Sequence, residues 1–131
     1  MNESAQLVGD AFAAWEGGDA QAVFGLMSDD LEWTVIGTTA ISGTFHSKRE
    51  FLDMVNSKLM PALAGPLVPV VERIFACGST VVAQFTSFAP TPRAPEYRQT
   101  YCWVMEIAGG KIQSGKAYLD TALVDRVVGQ E

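Results

Sequence analysis

The chain has 131 residues, 48% of them hydrophobic and 18% charged, and a formal net charge of −6 at pH 7. This size supports one domain spanning residues 1–131, with a core that needs no disulfide or metal staple, and the composition is that of a globular protein. The acidic balance argues against nucleic acid and anionic membrane as partners, because both require basic patches.

Leu7, Val8, Ala11, Phe12 and Trp15 fall on one helical stripe, with Ser4 as the expected N-cap and Gly17-Gly18 as the stop. Asp19 is expected to cap a second, short helix carrying Ala22, Val23, Leu26 and Met27, which Ser28-Asp29-Asp30 then breaks. Leu31, Trp33 and Val35 alternate with Glu32, Thr34 and Ile36, a strand signal that ends at Gly37. Residues 38–45 read as a loop with a short extended piece. Ser47-Lys48-Arg49-Glu50 matches a capping box and opens a third helix, with Phe51, Leu52, Val55 and Leu59 on one face. Pro61 kinks or ends that helix.

From Leu67 the period changes to two. Val68, Val70, Glu72 and Ile74 are expected on one face of a strand, and Leu67, Val71, Arg73 and Phe75 mainly on the other; Pro69 suggests an edge or a bulge. After a turn at Gly78-Ser79, Val81, Ala83 and Phe85 alternate with Val82, Gln84 and Thr86. Residues 89–95 contain three prolines and read as a loop. Residues 97–121 then form the central hairpin, turning at Gly109-Gly110, where two glycines supply the positive φ of a primed turn. With those two as the loop, paired residue numbers sum to 219. Gln99 then faces Asp120, Tyr101 faces Tyr118 and Trp103 faces Lys116, all on one aromatic face that ends in a carboxylate. A one-residue bulge would reverse these faces. Residues 122–128 are apolar enough for a short docking helix. Helices first and hairpin strands later imply an α+β fold with an antiparallel sheet.

Few single residues carry chemistry unaided. A carboxylate ending an aromatic row, Asp120, suits acid/base work and equally suits capping the next segment. His46, the only histidine, has no nucleophile motif beside it and reads as solvated. Trp15 reads as a core anchor and Trp33 as either the floor of a site or packing under the third helix. Cys77 and Cys102 are the only cysteines, outside any Cys-x-x-Cys or His/Cys cluster, so no zinc site is expected and the thiols should be buried and reduced. The N-terminus lacks a basic region followed by an apolar core, and no apolar run approaches the ~20 residues of a membrane helix, so a cytoplasmic location is expected.

The arrangement resembles the nuclear transport factor 2-like superfamily, and more narrowly its SnoaL-like branch, related to ketosteroid isomerases, polyketide cyclases and limonene epoxide hydrolases. The residues that carry the resemblance are Phe12-Ala13-Ala14-Trp15-Glu16-Gly17-Gly18-Asp19, Asp30-Leu31-Glu32-Trp33, Ile41-Ser42-Gly43-Thr44-Phe45, Tyr101-Cys102-Trp103-Val104 and Tyr118-Leu119-Asp120-Thr121. The resemblance implies a curved sheet and three helices around a cone-shaped cavity. It also implies an acidic residue on the last strand for acid/base work, and Asp120 occupies that place. The chain departs from the epoxide hydrolase pattern, since Arg98 is followed two residues later by Thr100 rather than Asp. It also lacks the arginine that usually precedes the Tyr-Cys-Trp run.

Two functional readings follow. In the first, a small cavity enzyme of the isomerase, cyclase or hydrolase type acts on an apolar, oxygen-bearing small molecule. Asp120 moves the proton, Gln99 orients it, and Tyr118 or Tyr101 supports developing charge. Trp15, Trp33, Phe85, Tyr101 and Trp103 line the substrate site, and no cofactor or metal is implied. In the second, the same fold is a non-catalytic binding or dimerisation module. A solvent-exposed Asp120 favours the second. The hairpin has two apolar faces and helices can cover only one, so a homodimer through the open sheet face is expected.

Overall fold

The computed structural model describes residues 2–92 and 96–129. The elements run α1 (Glu3–Glu16), α2 (Gln21–Phe24), β1 (Met27–Val35), β2 (Gly43–Phe45), α3 (Lys48–Met54), β3 (Val68–Cys77), β4 (Thr80–Ala89), β5 (Tyr97–Ala108), β6 (Lys111–Leu119) and α4 (Thr121–Val127). Past α3 the same rod continues as one wide π-helical turn, Val55–Leu59, and a short 3₁₀ turn, Met60–Ala62. Six strands form one curved, unclosed sheet in the order β2-β1-β6-β5-β4-β3. The class is α+β as expected. The sheet is not wholly antiparallel, however: β1 runs parallel to β6, the crossover carrying the chain over α3.

Local chemistry explains most of the boundaries and a few departures from expectation. Asn2, not Ser4, caps α1, its side-chain oxygen accepting from the backbone N–H groups of Ser4 and Ala5. Ala5 is buried, so the helix is already packed one turn earlier than the apolar stripe suggested. α2 has no side-chain cap, and Met27 belongs to β1 rather than to that helix, so Ser28-Asp29-Asp30 lies within the strand. Ser47 does cap α3, accepting from the Glu50 N–H at 3.0 Å, while the Glu50 carboxylate reaches back to the His46 N–H. Pro61 sits in the 3₁₀ turn that ends the rod. Ala89 completes β4, so the proline loop starts one residue later than expected; its residues 93–95 lie outside the described part.

Two bulges decide which side chains face inward. In β3 the register shifts between Val71 and Arg73, leaving Glu72 as the extra residue. Val68, Val70, Arg73 and Phe75 therefore share the outer face, and Val71 and Ile74 the inner one, which corrects the alternation expected from Leu67 onward. β3 is an edge strand, where Pro69 costs no ladder bond. In β6 the turn pairs Ala108 with Lys111 and Ile107 with Ile112 as expected, but Glu106 then pairs with Ser114, leaving Gln113 as the extra residue. Beyond it pairs sum to 220, so Tyr101 faces Leu119, Cys102 faces Tyr118, Trp103 faces Ala117 and Val104 faces Lys116. The expected Tyr101–Tyr118 and Trp103–Lys116 pairs do not form.

The core sits on the concave face of the sheet. α1 packs on β3 and β4, and α3 packs on β1. Phe12, Val23, Leu31, Trp33, Phe85 and Met105 are sealed from solvent. Both cysteines are free; Cys77 is exposed rather than buried because it ends the edge strand, and Cys102 is half-buried on the outer face. No helix of the described residues is long and apolar enough to cross a membrane.

Candidate functional site: an aromatic cavity

Between the concave sheet face and the α3 rod lies a cavity of about 220 Å³. Its walls come from every layer: Trp15 from α1, Phe24 from α2, Trp33 and Val35 from β1, Phe51 and Met54 from α3, Leu59 and Met60 beyond it, Phe85 from β4, and Tyr101 and Trp103 from β5. The five residues expected to line the substrate site, Trp15, Trp33, Phe85, Tyr101 and Trp103, all meet there. Strict alternation along β4 and β5 puts Phe85, Tyr101 and Trp103 on the concave face. Trp15 and Trp33 arrive from neighbouring elements. The rings lock one another: Phe85 stacks on Tyr101 at 5.1 Å between centroids, and Trp33 meets Trp103 edge to face at 4.7 Å. Trp33 also packs at 5.3 Å on Phe51, so it both supports α3 and walls the cavity.

Gly115 makes this wall possible. A Cβ built there would lie 2.2 Å from Cζ3 of Trp33, so only glycine lets the six-membered ring of that indole lie on β6.

The polar atoms of the wall are few. Trp15 donates its indole N–H to the Leu67 carbonyl at 3.0 Å. The N–H groups of Trp33 and Trp103 are buried and have no acceptor among the described residues. Tyr101 is the one lining residue with an ionisable side chain among those described. Its hydroxyl lies 2.9 Å from that of Tyr97, and Gln99 Nε2 donates to the Tyr97 hydroxyl at 3.4 Å. Burial pushes the Tyr101 phenol well above its ordinary range, and the neighbouring Tyr97 adds to this; burial likewise raises Tyr97, against the hydrogen bonds from Tyr101 and Gln99. Sequence reasoning passed over Tyr97, although the period-two row Tyr97, Gln99, Tyr101, Trp103 contains it.

The three residues expected to do chemistry sit elsewhere. Asp120 is exposed, and its Oδ1 caps α4, accepting from the N–H groups of Ala122 at 3.1 Å and Leu123 at 3.3 Å. Gln99 does meet Asp120, but through the backbone: its Oε1 accepts the Asp120 N–H at 2.7 Å and its Nε2 donates to the Asp120 carbonyl at 2.9 Å. This buried amide completes the ladder where β6 gives way to α4, and the carboxylate plays no part. Tyr118 points to the outer face, 42% exposed, with the Lys116 ammonium 5.5 Å over its ring. The bulge at Gln113 is the physical cause, since one extra residue turns every later side chain of β6 over. Asp120 and Tyr118 instead border a shallow outer groove with Glu72, Thr100 and Cys102. His46 is exposed and lies 3.5 Å from Glu32. Among the described residues no cluster of three or more His, Cys, Asp or Glu side chains is placed to hold a metal ion.

Solved structures with this fold are numerous. A protein of unknown function with a cystatin-like fold from Xanthomonas campestris superposes with a TM-score of 0.82 at 20% identity, covering 99% of this chain and 100% of that one. TerC co-crystallised with polyporic acid gives 0.75 at 17% identity, covering 97% and 98%. An LEH-like epoxide hydrolase of M. tuberculosis gives 0.67 at 19%, covering 96% and 89%. Among curated proteins, none is similar enough to count as a match. The SnoaL-like domain profile matches residues 8–115, most of the chain and all of the cavity-forming elements up to β6. With a cavity walled by β1, β4, β5 and the α3 rod and a family match over the same segments, the chain belongs to the SnoaL-like family, on the nuclear transport factor 2-like fold.

Proposed function

We propose that this domain binds an apolar small molecule in the aromatic cavity and does so without acid/base catalysis by Asp120. The observation that carries this reading is the wall itself: about 220 Å³ lined by tryptophan, phenylalanine, methionine and aliphatic side chains, with Tyr101 the one ionisable group among the described lining residues. Apolar cavities of about 150 Å³ take up a single aromatic ring such as benzene, so this volume suits a mono- or bicyclic compound. Proton transfer at a bound substrate requires a base within hydrogen-bond reach. The Asp120 carboxylate is on the outer side of the sheet and engaged in a helix cap, which favours the binding module over the enzyme. That a neighbour of the same fold was co-crystallised with polyporic acid is in keeping with an organic ligand.

Thermal unfolding with a bicyclic hydrocarbon such as decalin tests the reading. A ligand held at a hundredfold its Kd stabilises by about 2.7 kcal/mol, so the melting temperature should rise with concentration. Val55→Trp at the rim, or Ala117→Phe on the floor, should abolish the rise. A rise that survives both variants, or turnover of a ketone or epoxide panel that Asp120→Asn abolishes, would overturn the proposal.

A second copy of this chain is the partner we propose for the outer sheet face, where Val70, Phe75 and Tyr118 are exposed in one surface. Sedimentation at micromolar concentration should give a species twice the 14.1 kDa chain mass, and a species at the chain mass would refute it.

A further inference from the structure

The cavity has one thin side. Among the described lining residues, Gly18 and Pro66 are the two that are also exposed. Gly18 follows α1, where the N–H groups of Gly17, Gly18 and Asp19 donate to the carbonyls of Ala13, Trp15 and Ala14 and fix the chain. Pro66 lies in a strap, residues 64–68, between the rod and β3. Leu63 and Pro69, both buried, anchor the two ends, and every residue between them is exposed or half-buried. Pro66, Leu67 and Val68 also line the cavity, so at Pro66 the wall is a single chain thick. Two contacts hold the strap in place. The Ala64 N–H donates to the Pro90 carbonyl at 2.7 Å, and Gly65 packs so closely there that a Cβ would lie 3.0 Å from Pro90 Cγ. Towards the other end the Trp15 indole donates to the Leu67 carbonyl at 3.0 Å. Trp15 stands three residues before Gly18, and Leu67 one after Pro66, so this bond spans the thin place from one side to the other. Gly65 and Pro66, between the two holds, make no hydrogen bond among the described residues. Exposed chain with few hydrogen bonds opens locally at low free energy. The other loop at the cavity, residues 37–42, which contributes Ile41, is tied down by Ser42, whose Oγ donates to the Ile36 carbonyl at 2.8 Å and accepts from the Thr39 N–H at 3.0 Å.

Resting on the binding reading above, we propose that residues 64–68 are the door of the cavity and that Trp15 is its latch, its ring forming part of the wall while its N–H holds the Leu67 carbonyl. Opening breaks the Trp15–Leu67 and Ala64–Pro90 bonds and swings the strap between Leu63 and Pro69, with the sheet left as it is. The strap then sets how fast a guest enters and leaves.

The test places a thiol on the cavity floor, where Ala117 is 3% exposed, and times its reaction with methyl methanethiosulfonate. In the Cys77→Ser/Cys102→Ser/Ala117→Cys protein that thiol is the only one. Rates are read at low urea, where they do not change with urea, so that door opening is separated from global unfolding. Trp15→Phe keeps a ring in the wall and removes the latch, and labelling should quicken by about fivefold, the worth of one neutral hydrogen bond. Gly65→Val, which pries the strap from Pro90 without touching Trp15, should quicken it by a similar factor. Ser42→Ala, which loosens the other loop, should leave the rate within about twofold. A rate unmoved by both strap variants, a rate raised by Ser42→Ala instead, or labelling of the parent protein as fast as that of a free thiol would overturn the door and leave the binding reading standing. Saturating decalin should slow the labelling. Strap variants that quicken the rate while decalin never slows it would support the door and overturn the binding reading.

Discussion

The two faces of strand β5 have opposite characters. Its inward row, Tyr97, Gln99, Tyr101, Trp103, Met105 and Ile107, is buried throughout. Its outward row, Arg98, Thr100, Cys102, Val104, Glu106 and Ala108, is exposed or half-buried. The neighbouring outer surface carries Glu72, Lys116, Tyr118 and Asp120, and the inner one carries the cavity. Charge and reactivity have thus been placed on one side of a single sheet and apolar volume on the other. A binding site of the proposed kind recognises shape first, whereas acid/base chemistry by a carboxylate or imidazole would require that group on the inner side.

Substitutions on β6 expose this contrast most strongly. Gly115→Val drives side-chain atoms into the buried ring of Trp33. Chemical denaturation should report a loss of about 3 kcal/mol. Ser114→Val, one residue away on the outer face, should stay within about 0.5 kcal/mol.

Alkaline unfolding comes next in size. Tyr97 and Tyr101 have folded-state pKa values raised by burial above that of the unfolded chain. Below pH ~10 both states hold the phenol protons and the contribution to stability is intact. As the pH rises past the unfolded value, the unfolded chain releases protons that the folded one retains. Stability should then fall by about 1.4 kcal/mol per pH unit for each tyrosine, until the folded pKa is reached. Urea midpoints between pH 8 and 11 should show this fall, and the Tyr97→Phe/Tyr101→Phe double variant should flatten it.

Asp120→Ala is expected to have a smaller effect than either Gly115→Val or the alkaline shift. Losing the α4 cap should cost about 1 kcal/mol while the Kd for a cavity ligand changes less than twofold. A tenfold loss of affinity would mean that the outer side does communicate with the cavity.

The fold was largely legible because its signals are local. The alternation of Val81, Ala83 and Phe85, the capping box at Ser47 and Glu50, and the Gly109-Gly110 turn each act within a few residues. Both glycines do have positive φ, 60° and 72°. The lining residues were readable for the same reason, being large aromatics at period two. The expected facing of the last strand hung on one integer: the Gln113 bulge changes the pairing sum from 219 to 220 and carries Tyr118 and Asp120 to the other side. Nothing in a residue such as Gln113 announces a bulge, since it arises from fitting the strand to its neighbours on a curved sheet. The parallel pairing of β1 with β6 was invisible for a related reason: it joins segments far apart in the chain.

The wide turn at Val55–Leu59 has its own consequence for what the cavity sees. In an α-helix successive side chains are about 100° apart, so the stripe begun by Phe51, Met54 and Val55 would continue through Lys58, four residues after Met54. Met60 would then point away. Leu59, four residues after Val55, lies near that stripe in either winding; the wider winding adds Met60 to the wall and leaves Lys58 exposed with its ammonium 3.3 Å from the Ala40 carbonyl. The neutrality of the interior is therefore written in how tightly the rod is wound as much as in which residues it contains. A lysine stands within the rod's sequence, and the winding of the backbone keeps its charge outdoors.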